Sequence, residues 1–157
     1  MMDSIGRSQI ELPLSAAMRL AWDSLGGKRE WAGRVRGLAG LISRGVTIQS
    51  SGELREDQLI FREKLVFSDG VEQSREWSIE ETRAGLNLIA NDVELLREGR
   101  NEEGNLVFDY RLRLGPLMCD YRDQFTPLPN GRVSNVGKVY WRGIRIMTIK
   151  LEATPAS

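Results

Sequence analysis

The chain has 157 residues, 41 % of them hydrophobic and 28 % charged, and its 22 basic side chains balance 22 acidic ones. That length suits a single domain, 1–157, and the even balance, with no Lys/Arg block, gives no sign of a nucleic-acid or anionic-membrane partner. Histidine is absent and cysteine occurs once, at Cys119, which excludes His-ligated metal or haem, Ser-His and Cys-His nucleophile pairs, and any internal disulfide.

The first residues, MMDSIGRSQIELPLSAAMRLAW, lack the basic start and unbroken apolar run of a signal peptide. No stretch approaches the ~18 consecutive apolar residues of a spanning helix. A cytoplasmic protein with no membrane insertion is therefore expected. One helix is predicted over 12–26: Ser15 is a good N-cap, Leu14, Met18, Ala21, Trp22 and Leu25 recur at helical spacing, and Gly26-Gly27 stops it. Few basic residues lie on its polar face, so the stripe reads as a plug against a sheet and not as a membrane-surface helix.

After Gly27 the pattern becomes short alternating runs punctuated by Gly, Asn, Asp and Pro. Strands are predicted near 30–37, 45–52, 58–67, 71–80, 85–91, 93–100, 105–114, 117–126, 132–141 and 144–152. Such close spacing, with no helices between, implies an antiparallel meander. A sheet of about 9–10 strands normally curls and closes. The fold expected is all-β: an antiparallel up-and-down β-barrel over 28–152 with one N-terminal helix, a two-sheet sandwich being the alternative. Residues 1–11 and 153–157 read as loose ends.

Turn length fixes which residues face each other. A three-residue loop, Ser68-Asp69-Gly70, sets Phe61 opposite Trp77, Leu59 opposite Ile79, and Glu63 opposite Arg75. The turn at 101–104 places Val93, Leu95 and Arg97 on the face of Phe108, Tyr110, Leu112 and Leu114. Gly115-Pro116 pairs Tyr110 with Tyr121 and Phe108 with Asp123. Across the loop ending Pro129-Asn130-Gly131, Phe125 opposes Val133 and Asp123 opposes Asn135. Residues 144–152 are apolar on both faces and cannot be oriented. One face thus collects Glu63, Arg75, Arg97, Tyr110, Tyr121, Asp123 and Asn135 among large apolar residues, while the other carries Arg62, Lys64, Glu76, Asp109, Arg111, Arg113, Asp120, Arg122 and Lys138. Charges on a buried face are costly unless paired, so the inner polar set should bond to itself or to a ligand.

The segments EKLVFSDG…REWSIE (63–80), NDV (91–93), GN followed by F-x-Y-x-L (104–112), and Asp123, Asn135 and Gly143 resemble an uncharacterised bacterial family of small lipoprotein-like proteins of unknown function. The similarity runs from about Gly33 to Lys150 and implies a lipocalin-like (calycin) barrel. Many members carry a lipoprotein signal that this pattern lacks, and the family supplies neither reaction nor ligand. The lipocalin Gly-x-Trp near the first strand is poorly matched by Gly27-Lys28-Arg29-Glu30-Trp31.

Two readings compete for the Glu63–Arg75 pair: an ion pair that fixes register, or an anchor for a ligand's polar head. The same choice holds for Arg97, Tyr110, Tyr121, Asp123 and Asn135, where tyrosines suit a carbonyl or phenol and Arg97 suits a carboxylate. Trp31, Trp77 and Trp141 read as core, and Cys119 as a buried, inert thiol. The glycines make no phosphate loop, and the carboxylates make no EF-hand or metal cluster. The preferred function is binding of a small, mostly apolar ligand, lipid-like or aromatic, with a polar or acidic head. Its site would be Glu63, Arg75, Trp77, Arg97, Tyr110, Tyr121, Asp123 and Asn135, without cofactor. The alternatives are a cofactor-free isomerase, cyclase or lyase with Glu63 or Asp123 as base and Tyr110 or Tyr121 polarising a carbonyl, and an interaction module with a filled barrel.

Overall fold

The structure, a computed structural model, describes residues 14–156. A helix, α1 (Ala16–Leu25), precedes β1 (Gly27–Gly37), β2 (Ile42–Arg55), β3 (Gln58–Phe67), β4 (Glu72–Glu81), β5 (Leu86–Ile89), β6 (Val93–Glu102), β7 (Asn105–Leu114), β8 (Leu117–Pro127), β9 (Val133–Trp141) and β10 (Ile144–Pro155). Every strand pairs antiparallel with its chain neighbours, and β1 closes on β10. The result is a closed ten-stranded barrel, not a sandwich, and closure leaves no edge strand open to pairing.

Ser15 caps the helix as expected, its Oγ accepting a 3.0 Å hydrogen bond from the Met18 amide. Met18, Ala21 and Leu25 are buried, joined by Leu20 and Ser24, while Trp22 is only half-buried. This face closes one end of the barrel, against β2, β3 and β6–β8. Gly52 on β2 permits the fit: a Cβ there would lie 2.1 Å from the Leu25 carbonyl oxygen. Arg29 latches the same end, donating to the carbonyls of Gly26 (3.1 Å), Asp23 (3.0 Å) and Gly131 (2.6 Å). Residues 12–13 of the predicted helix and the predicted loose end 1–11 lie outside the described residues. No described helix is long and apolar enough to cross a membrane.

Most hairpins have the expected register. Glu63 faces Arg75, Phe61 faces Trp77 and Leu59 faces Ile79, around a turn whose Gly70 sits at φ 90. Tyr110 faces Tyr121, and Phe108 faces Asp123. Across β8 and β9 the pairing is displaced by two: Pro127 faces Val133, Phe125 faces Asn135 and Asp123 faces Gly137. The strands run closer to the turn than expected, and an even displacement leaves every side chain on its face. Strand β10 turns Met147, Ile149, Leu151 and Ala153 inward after a bulge between Arg145 and Met147. It also continues through 153–155, which are paired and not loose: Ala153 faces both Trp31 and Val133 and is fully buried.

Burial is uneven along the barrel axis. Near α1 the inward Leu59, Ile79, Leu86, Leu106, Val133 and Ala153 are sealed. Toward the opposite end Leu65, Phe67, Val93, Leu95, Leu112, Met147 and Ile149 point inward yet remain only half-buried, while Val35, Val46, Ile48, Cys119 and Val139 at the same level are buried. The helix therefore plugs one mouth, and side chains cover the other less completely. Outside, ion pairs such as Arg62–Glu76 and Arg122–Asp109 (both 2.8 Å) lace neighbouring strands; at the surface each adds little stability.

Candidate functional site

Between the sealed and the less covered halves the barrel carries a layer of hydrogen-bonding side chains. β3 contributes Glu63, β4 Trp77, β7 Tyr110, β8 Tyr121 and Asp123, and β9 Asn135. Alternation brings them inward: each sits at an apolar-face position of its strand. Trp77 Nε1 donates to Glu63 Oε2 at 2.7 Å. The Tyr110 hydroxyl donates a short hydrogen bond to Asp123 Oδ2, and Asn135 Nδ2 donates to Asp123 Oδ1 (3.3 Å) and to the Gln124 carbonyl (3.1 Å). The Tyr110 ring lies edge-on to Trp77 at 5.6 Å and stacks on Tyr121 at 5.3 Å. Six of the eight predicted site residues thus form one connected cluster.

Two carboxyls share this interior. Desolvation raises the Glu63 carboxyl from 4.5 to about 7, partly offset by the Trp77 hydrogen bond; neighbouring Asp123 pushes it up and Arg75 pulls it down. Burial raises Asp123 too, against the stabilising hydrogen bonds from Tyr110 and Asn135. Burial, with the adjacent Asp123 charge, holds the Tyr110 phenol well above its usual range. Tyr121 is raised to about 12, mainly by burial. At neutral pH the layer therefore offers neutral phenols, an indole N–H and a carboxyl near half-protonation.

The two arginines behave differently from the expectation. Arg75 lies opposite Glu63 but forms no salt bridge with it. Its guanidinium donates to the Asn91 carbonyl at 3.3 Å and stands 5.3 Å above the Trp77 ring. The indole is rigid and its N–H reaches the carboxylate directly, so Trp77 takes the place predicted for Arg75. Arg97 does not belong to the site. A bulge between Leu95 and Arg97 shifts the β6 register by one residue, so Arg97 faces Asp109 on the outer wall and is exposed. One extra residue in a strand exchanges its faces beyond that point, and nothing in the alternating sequence marks where it falls.

Two further residues complete the layer. Gly137 lies opposite Asp123 on the inward face, and a Cβ there would stand 2.9 Å from Asp123 Oδ1, so its missing side chain makes the room the carboxylate occupies. A glycine inside a strand of inward-facing residues was the available signal. Ser50 on β2 accepts from Trp31 Nε1 at 2.8 Å and extends the polar layer around the wall, in register with Glu63.

Two concavities lie on the outer wall. One, of about 590 Å³, spreads over β1–β4 between Lys28, Glu30, Gln49, Arg62 and Glu76. The other, of about 480 Å³, lies beside Arg97, Asp109, Arg122 and Tyr140. Both are framed largely by outward-facing charged side chains. Among the described residues no three Cys, Asp or Glu gather as metal ligands would.

Fold and site together define a closed ten-stranded antiparallel barrel, plugged by a helix at one end and carrying an inner layer of two carboxyls, two tyrosines and an indole. The chain belongs to the family described as "Protein of unknown function (DUF3833)", whose model matches residues 15–154. That span takes in α1 and reaches into the last residues of β10. No curated protein matches the chain.

Proposed function

We propose that the protein is a lipocalin-like barrel that binds a small, mostly apolar molecule, whose polar head meets the layer of Glu63, Trp77, Tyr110, Tyr121, Asp123 and Asn135. The observation that carries this reading is the gradient along the axis. Half-buried inward apolar side chains stand above a polar layer whose own carboxylates are also half-buried, and a barrel built only for stability would seal both with hydrocarbon. The head favoured is a hydrogen-bond donor, such as a hydroxyl, an amide or an amine. An acidic head fits poorly, because Arg97 is outside, Arg75 is engaged with Asn91, and two carboxyls face the interior.

Native mass spectrometry of freshly purified protein tests the reading. It expects a bound neutral or cationic amphiphile that quenches tryptophan emission and is displaced from Asp123→Asn. Protein that carries nothing and takes up no alkyl alcohol or amine would count for a filled barrel. A second reading, a cofactor-free isomerase or lyase, is favoured by one observation: the Glu63 carboxyl sits at about 7 beside neutral phenols, as general acid–base chemistry needs. Glu63→Gln that keeps ligand and loses turnover would select it.

A further inference from the structure

Among the described residues seven large apolar side chains are exposed, and six of them, Leu38, Leu41, Val71, Ile89, Met118 and Ile144, lie in or beside the turns at the end of the barrel away from α1. Four of these cluster further. The turns β1–β2, β9–β10 and β7–β8 follow one another around the rim, because β1, β10, β9 and β8 are successive wall strands. On them Leu41 is 87 % exposed, Ile144 65 %, Leu38 49 % and Met118 46 %. Leu38 and its neighbour Ala39 are held at positive φ (48 and 55), a costly backbone for residues with a side chain.

Charge divides the same rim. The three turns carry Arg36 and Arg44, Arg113, and Arg142 and Arg145, and residues 36–44, 113–118 and 141–146 contain no Asp or Glu. The remaining arc, at β3–β4 and β5–β6, carries Asp69, Glu72, Asp92 and Glu94. Arg44 is tied to Asp69 at 3.0 Å where the arcs meet, and the Arg142 guanidinium lies 4.9 Å over the Trp141 ring. Exposed leucine and isoleucine tips, flanked by arginines and an amphipathic indole, match the chemistry of a lipid interface: hydrocarbon for the tips, phosphate for the guanidinium groups. The acidic arc would be repelled and must tilt away.

We propose that this arc docks the protein peripherally on an anionic lipid bilayer, with Leu38, Leu41, Met118 and Ile144 entering the interface and the arginines pairing with headgroup phosphates. The less covered mouth then borders the membrane. The docking stands on the rim alone and does not depend on the barrel holding a ligand.

Co-sedimentation of the full chain with vesicles tests it, comparing pure phosphatidylcholine with an equal mixture of phosphatidylcholine and phosphatidylglycerol. Binding is expected to the anionic vesicles and to weaken with salt. Arg142→Glu and Arg145→Glu should each lower the partition at least about fivefold. Leu41→Ser with Ile144→Ser should lower it without changing the thermal midpoint, since both side chains are exposed. Ile89→Ser and Leu96→Ser, exposed outside the arc, should leave it unchanged. Equal binding to neutral vesicles, no binding to either, or equal losses from the control substitutions would overturn the proposal. So would a dimer in solution that Leu41→Ser abolishes, which would assign the arc to a second copy of the chain.

Discussion

Glu63→Gln isolates the energetic consequence of the inner layer. The folded chain holds this carboxyl at about 7 against 4.5 for an ordinary glutamate, chiefly by desolvation. Between those values the folded state binds more protons than the unfolded state, so stability falls as pH rises. The contribution is fully present below about 4.5 and lost as pH climbs through about 7. The full displacement corresponds to about 3 kcal/mol, and because the residue is only half-buried, water trims this to about 2–3 kcal/mol. Glutamine keeps an acceptor for the Trp77 N–H and carries no charge. Urea midpoints measured from about pH 5 to about pH 8 should therefore show a flatter profile for the variant. The two proteins should be close in stability at the acid end, with the variant ahead by up to about 2–3 kcal/mol at the alkaline end. Asp123, raised by the same cause, leaves a slope of the same sign in both. Parallel profiles would refute the reasoning, because they would mean that Glu63 titrates as it does in water.

Removing the Tyr110 hydroxyl in Tyr110→Phe takes from Asp123 a donor that lowers its pKa; chemical denaturation should show a loss of about 1.5–3 kcal/mol, much smaller in an Asp123→Asn background. Gly137→Ala places a methyl 2.9 Å from Asp123 Oδ1 and should cost about 1–3 kcal/mol, with the Asn135 side-chain amide resonances shifting as the carboxylate is displaced. Arg29→Ala frees three carbonyls at the plugged end, so amide exchange in residues 16–26 should accelerate more than exchange in β7 and β8. Exchange should also be fast along β5 in the unaltered protein, since β5 and β6 share only the Leu86–Gly99 ladder position, and protection there matching that of β7 would contradict the pairing.

Alternation and turn chemistry made most of the wall legible. Ser68-Asp69-Gly70 and Gly115-Pro116 leave one sensible register each, and those registers put Glu63, Trp77, Tyr110, Tyr121 and Asp123 on one face, where the structure places them. What a strand pattern cannot carry is a bulge, because one added residue changes no composition and reverses every face after it. That is why strict alternation puts Arg97 inward and the folded strand puts it outside. The β10 bulge between Arg145 and Met147 likewise explains why 144–152 looked apolar on both sides. The Glu63–Arg75 contact failed differently. Facing Cα atoms fix neighbours but not rotamers, and the adjacent indole offered Glu63 a closer donor. Charge totals are silent in a third way: equal counts of acid and base say nothing about their separation into two arcs once closure orders the turns around a rim.

The inner layer is expensive for what it does inside the barrel. Among the described residues Glu63 has one side-chain hydrogen bond, from Trp77, and no salt bridge, although ionised carboxylates can accept several hydrogen bonds. At neutral pH its charged form lowers stability by an amount that a leucine at the same position would not. Asp123 differs: Tyr110 and Asn135 hold both its oxygens, and Gly137 clears the space it fills. A layer made only to fix register would satisfy both carboxyls equally. The asymmetry instead leaves Asp123 as a fixed support that orients Tyr110, and Glu63 as the member with unfilled acceptor capacity. The same asymmetry predicts where a donor head would sit: at the Glu63 oxygen that Trp77 does not occupy, beneath the half-buried Leu65 and Leu95, with its binding weakening when Glu63 is protonated only if the head is a cation. A hydroxyl head, which can also accept from a protonated carboxyl, would bind across the titration.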